Sequence, residues 1–301
     1  MEPTDRRGLL GAAGAAAIGL STAAAPTAAH AVDPELPAHY SALLSVLGRH
    51  DAAFGPHEVL AIVRRELGII ADHRTVARGP LRAALMRVEG RWSIYAAWLC
   101  EDTGDRHGRD GLANRALRLG REGGDPDVIA WTRARQAQWS GPPRAVLLAE
   151  SGLRTPRAGA QTRALCAVRA AYGHARMGDS KMTTRLLTEA EALLEHDSPP
   201  PPSAALPSTD RLVRCWEARC WAALEPIKGA ELYDTALRDW PQVQIRDGGL
   251  YRARLAIACA AAGERDRAQA EGRRALAIAR ATKSVTAQRE LRRLGVALNA
   301  I

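Results

Sequence analysis

Aromatic residues make up only 4% of the 301-residue chain: one Phe and five Tyr beside seven Trp. Strands draw on β-branched and aromatic side chains, whereas this chain offers mostly Ala, Leu and Arg, which excludes a β-sandwich or barrel and points to helices. Five cysteines (Cys100, Cys166, Cys215, Cys220, Cys259) are an odd number without framework spacing, so a disulfide scaffold, a C-x-x-C redox pair and a zinc knuckle are excluded. Eight histidines show no H-E-x-x-H or other ligand spacing, and no metal is expected. There is no G-x-S-x-G elbow, P-loop or dinucleotide fingerprint, and glycine-rich Gly120 to Gly124 reads as a helix end. Neither an enzyme nor a cofactor is expected. A stable membrane span is not expected either: the longest uncharged stretch, Gly8 to Ala29, holds only Leu9, Leu10, Ile18 and Leu20 as strongly apolar residues.

What is present is an ordinary globular balance, 47% hydrophobic and 25% charged, with a net charge of +9. All but three of the 42 basic residues are Arg, a skew that reads as genomic base composition. The excess is C-terminal, since Arg252 to Arg293 carries 11 basic residues against Glu264, Asp266, Glu271 and Glu290. Such a run is a solvated, pair-laced helix face or a footprint for an acidic partner.

The first 34 residues form a separate Ala/Gly-rich segment. Arg6-Arg7 precedes a weakly apolar stretch ending in Ala29-His30-Ala31, the parts of a twin-arginine export signal with a mature start at Val32. Glu2 and Asp5 cancel the n-region charge, which favours an interdomain linker and a cytoplasmic location over export.

From residue 35 onward the periodicity is helical. Leu36, Tyr40, Leu43, Leu44 and Leu47 share one face, and a second helix starts at Pro56. A third starts near Pro80. Then a repeat appears: Gly104-Asp105, Gly178-Asp179 and Gly263-Glu264 each separate two helical patterns. An Ala stands seven residues before each Gly (Ala97, Ala171, Ala256) and another twelve after (Ala116, Ala190, Ala275). This spacing matches the tetratricopeptide unit, in which small residues let two helices pack across a tight turn. Two further units turn at Gly141-Pro142-Pro143 and at Pro226, giving five hairpins from about Arg91 to Ala281. A Pro-rich insertion at 197–210 interrupts them.

The stretches Trp98 to Asp105, Ala116 to Pro126 and Gly249 to Ala256, with the ending Ala279 to Ser284 and Arg289 to Leu294, resemble the tetratricopeptide-type C-terminal regulatory region of bacterial Xre-family (helix-turn-helix) transcriptional regulators. The resemblance implies an all-α, right-handed array of helical hairpins acting as the sensing half of a regulator. In that family an Arg-Arg-x-x-Leu stretch follows the helix-turn-helix, and Arg6-Arg7-Gly8-Leu9-Leu10 falls at that place. The array itself holds no recognition helix, so direct DNA binding is not expected.

The remaining candidate site is collective. First helices of stacked hairpins line a concave groove, and counting from each turn places Arg91, Trp98, Glu101 and Asp102 from the first unit there, with Tyr172, Arg176 and Arg219 from later ones. Arg, acids and aromatics in that mix suit a protein, a peptide or a small-molecule ligand. The function expected is a non-enzymatic regulatory or interaction module; a twin-arginine-exported binding protein is the alternative.

Overall fold

A computed structural model describes residues 32–202 and 208–299, with side chains through residue 295. Arg6, Arg7 and the Ala29-His30-Ala31 site lie outside the described residues, as do 203–207 of the Pro-rich insertion. The described residues from 33 onward form one compact unit. Among the described residues the secondary structure is thirteen α-helices and no strand. They are α1 (Leu36–Phe54), α2 (Pro56–Val76), α3 (Gly79–Thr103), α4 (Arg106–Glu122), α5 (Pro126–Gln138), α6 (Pro142–Leu153), α7 (Ala160–Ala175), α8 (Ser180–Leu194), α9 (Thr209–Leu224), α10 (Pro226–Leu237), α11 (Ile245–Ala261), α12 (Arg265–Ala281) and α13 (Val285–Asn299). None is long and apolar enough to cross a membrane.

The turns follow from local chemistry. Gly104, Gly178 and Gly263 have φ of +88°, +80° and +83°, the left-handed conformation that lets a helix stop without steric cost. Asp105 and Asp179 then cap the next helix, accepting from the Gly108 and Met182 amides at 2.8 and 3.0 Å. The six repeat alanines are fully buried, which brings α3 against α4, α7 against α8 and α11 against α12. Pro226 opens α10, where its missing N–H costs nothing.

One element differs from the sequence reading. The third leading helix and the first helix of the first hairpin are a single α3, so two helices, not three, precede the hairpins. Gly90 does not punctuate it. A Cβ there would stand 3.3 Å from Val128, so this glycine admits a close neighbour within the helix.

Alternate helices also touch one another: α3 meets α5, α5 meets α7, α7 meets α9, α9 meets α11 and α11 meets α13. Helix α13 packs back on α3, and α1 bridges α11 and α3. The succession of helices thus meets itself, and the inner face expected as an open groove is bounded on its far side by α13 and α1. Asp102 of α3 accepts from Ser284 Oγ at 2.6 Å and the Thr286 amide at 3.0 Å, fastening the start of α13. Arg246 of α11 holds Asp51 of α1.

Gly55, between α1 and α2, is the tightest point of this closure. Its φ is +98°, and a Cβ would lie 2.1 Å from the Thr282 carbonyl oxygen at the end of α12. Both the backbone conformation and the contact exclude a side chain, so Gly55→Ala is expected to cost about 2–3 kcal/mol in urea unfolding. A change within about 0.5 kcal/mol would show that this contact is not made.

Candidate functional site

Side chains of the odd-numbered helices α3 to α11 stack in a circuit across the interior. Trp98 of α3 and Trp131 of α5 each lie 4.5 Å from the Arg135 guanidinium. Arg169 of α7 lies between Trp131 and Trp216 of α9, at 4.9 and 4.6 Å. Arg254 of α11 follows over Trp216 and Tyr251, and Arg246 of α11 returns to Trp98 at 5.1 Å. Each ring presents its negative face to a cation, which recovers part of the cost of burying that charge. Seven tryptophans in a chain with so few other aromatics are in part the material of this ladder.

Beside the ladder lies a cavity of about 380 Å³, within the range of small-ligand pockets. Glu101 lines it from α3, and Arg106 and Arg109 from α4. Gln138 and Trp139 come from the end of α5, with Ser140 and Gly141 from the following turn. Arg169, Tyr172 and Arg176 come from α7 and its end, Trp216 and Arg219 from α9, and Arg254 from α11. Thr286, Arg289, Glu290 and Arg293 line it from α13. The lining therefore sets eight arginines against two glutamates. A smaller pocket of about 30 Å³ lies behind it and shares Gln138, Arg169, Trp216 and Arg254.

The two glutamates are fully engaged. Glu101 takes Arg109 at 2.6 Å on one oxygen and Arg289 on the other. Glu290, 6% exposed, accepts from Arg293 at 3.0 Å, Arg254 at 3.2 Å and Arg219 at 3.3 Å. Burial works against its charge, but these three guanidinium groups prevail and hold its carboxyl down to about 2. Arg219 also stacks 4.2 Å from the Tyr172 ring, and Tyr172 meets Trp216 edge-on at 5.6 Å.

Arg135 and Arg169 are different. They are 7% and 3% exposed, and among the described residues neither has a carboxylate within ion-pair distance. Their Nε atoms have no hydrogen-bond partner. Arg135 reaches only Gln138 Oε1, at 3.4 Å, and Arg169 only the Leu165 carbonyl of its own helix, at 2.8 Å. Burial, with the neighbouring Arg169, pulls Arg135 down to about 9; burial pulls Arg169 down to about 10. Both still carry a positive charge at neutral pH.

Of the residues chosen from sequence, Glu101, Tyr172, Arg176 and Arg219 line the 380 Å³ cavity together. Trp98 lines the small pocket behind it, under Arg135. Asp102 is fully buried and occupied in holding α13. Arg91 is in neither cavity. It faces the α4–α5 turn and pairs with Asp125 at 3.1 Å, because α3 turns that position toward α4 and α5. Sequence reasoning missed Arg109, Arg169 and Arg254, and also Arg289, Glu290 and Arg293 of α13. The last three stand in the Arg289 to Leu294 stretch, which the sequence offered only as part of the family resemblance and of the C-terminal charge run. Trp92 and Tyr95 are core, donating to the carbonyls of Tyr40 and Leu47, and all five cysteines are buried thiols.

No protein-family model matches this chain, and neither does any curated protein or solved structure.

Proposed function

We propose that this chain is a non-enzymatic regulatory or interaction module that takes an anionic ligand in its interior cavity. The excess of eight arginines over two glutamates around 380 Å³ carries this reading. Buried positive charge without a matching carboxylate lowers stability until an anion supplies it, so the cavity is built for a negatively charged occupant. In this reading the helices are a right-handed array of tetratricopeptide-like hairpins. They resemble the sensing half of Xre-type regulators. Ligand contacts bridging α4, α7, α9 and α13 would tighten the closure of the array, which is a physical route from binding to signalling.

The test is a titration followed by tryptophan fluorescence, since Trp139 and Trp216 line the cavity. Pyrophosphate and triglutamate serve as anionic probes and spermine as the cationic control. At least one anion is expected to bind saturably while spermine does not. Arg176→Ala, at an exposed position, should weaken that binding about tenfold with unchanged helicity, as expected for loss of one charge-assisted contact. Absence of binding by both anions, or equal binding of spermine, overturns the reading.

A further inference from the structure

The cations around the cavity divide into two groups. Arg109 and Arg289 share Glu101, while Arg219, Arg254 and Arg293 share Glu290. Arg106, Arg169 and Arg176 line the same cavity and, among the described residues, have no carboxylate within ion-pair distance. Arg169 is at the inner wall, 3% exposed, with its Nε donor unused. The Trp139 indole N–H, on the same lining, is also buried without an acceptor. The cavity thus presents three unmatched guanidinium groups and an unmatched indole donor.

The size of the cavity limits what can match them. A phosphoryl group brings three acceptor oxygens and up to two charges around one phosphorus, and guanidinium forks fit it in bidentate fashion. Two adjacent phosphoryl groups satisfy three arginines within a few ångströms. A peptide would need three separated carboxylates and would bring amide groups that need partners of their own. For those the lining has only Gln138, Ser140 and Thr286 as uncharged amide or aliphatic hydroxyl side chains. We infer, resting on the anion-binding reading above, that the ligand is a compact small-molecule polyanion with adjacent phosphoryl groups, seated on Arg169 and Trp139 with Arg106 and Arg176 on its outer side.

Isothermal titration of the full chain with pyrophosphate tests this, with triglutamate as the competing chemistry. Pyrophosphate should bind one per chain and raise the melting temperature. Arg169→Gln should weaken it about 10- to 100-fold and the double variant Arg106→Gln/Arg176→Gln about as much, the worth of one or two charged hydrogen bonds. Arg185→Gln, exposed on α8 away from the cavity, should leave it unchanged. Arg169→Gln removes an unpaired buried charge and is expected to fold. If it does not, the double variant decides, since both of its positions are exposed. Pyrophosphate affinity undiminished in the double variant, or lowered equally by Arg185→Gln, overturns the inference. Binding of triglutamate without pyrophosphate overturns the phosphoryl assignment and leaves the anion-binding reading standing, whereas binding of neither overturns both.

Discussion

Glu290→Gln is expected to lower the stability of the free protein by about 3–5 kcal/mol, because it leaves Arg219 and Arg254 buried without a carboxylate. The substitution keeps shape and removes only charge, so the loss cannot be assigned to a cavity. For a chain of this length it corresponds to a fall of about 10 °C in melting temperature. The effect has a pH signature. The carboxyl of Glu290 is held at about 2, below its ordinary 4.5. It therefore contributes stability that is present above about pH 4.5 and lost as pH falls toward 2. Denaturant unfolding of wild type and variant should show a gap that is full near neutral pH and narrows across that window. A gap independent of pH would place the effect in packing rather than in charge. The same variant removes a negative charge from the cavity and leaves Arg219 and Arg254 unmatched, so pyrophosphate should restore more stability to it than to the wild type.

The second large effect is expected at Arg246. Its Nη1 lies 2.5 and 2.6 Å from the two oxygens of Asp51, and Asp247 and Asp102 stand at 3.0 and 3.9 Å. Arg246 is 4% exposed and Asp51 is 1% exposed. Arg246→Met fills similar volume but strands three acidic groups, which should cost about 3–5 kcal/mol and release α1, the helix that bridges α11 and α3. Arg246→Lys keeps the charge and loses the planar fork, so it should recover only part of the loss. In a double-mutant cycle, Asp51→Asn should cost much less in the Met background than in the wild type. Additive losses would mean that the pair does not fasten α1. Limited proteolysis supplies a second readout, with early cleavage before α2 expected in Arg246→Met alone.

Both substitutions break contacts that close the helices on one another: carboxylates on α1, α3 and α13 meet arginines from helices far away in the chain. The cavity owes its charge to the same arrangement, since Glu101 and Glu290 neutralise some of its arginines and leave Arg169, Arg106 and Arg176 unmatched.

What the sequence determined by itself was local. Helical periodicity, the left-handed glycines 104, 178 and 263, the caps Asp105 and Asp179, and the opening prolines 56, 142 and 226 act within a few residues. They place the helix boundaries almost where they lie. The Ala-Gly-Ala spacing works the same way, because two helices joined by a short turn have little choice but to pack on each other. Glu101, Tyr172, Arg176 and Arg219 could be placed on the inner face from their turns alone. Closure was not legible. The Asp51–Arg246 and Asp102–Ser284 contacts span 195 and 182 residues, and a chain whose 42 basic residues are nearly all Arg offers too many equivalent partners for any acid. Periodicity did not show that the helix starting near Pro80 runs on into the first hairpin as the single α3. Nor could it show that Arg91 meets Asp125 while Arg169, just as basic, is buried between two tryptophans with no counter-charge. Which charges end up paired is fixed by distances across the closed interior, and only the tertiary structure sets those.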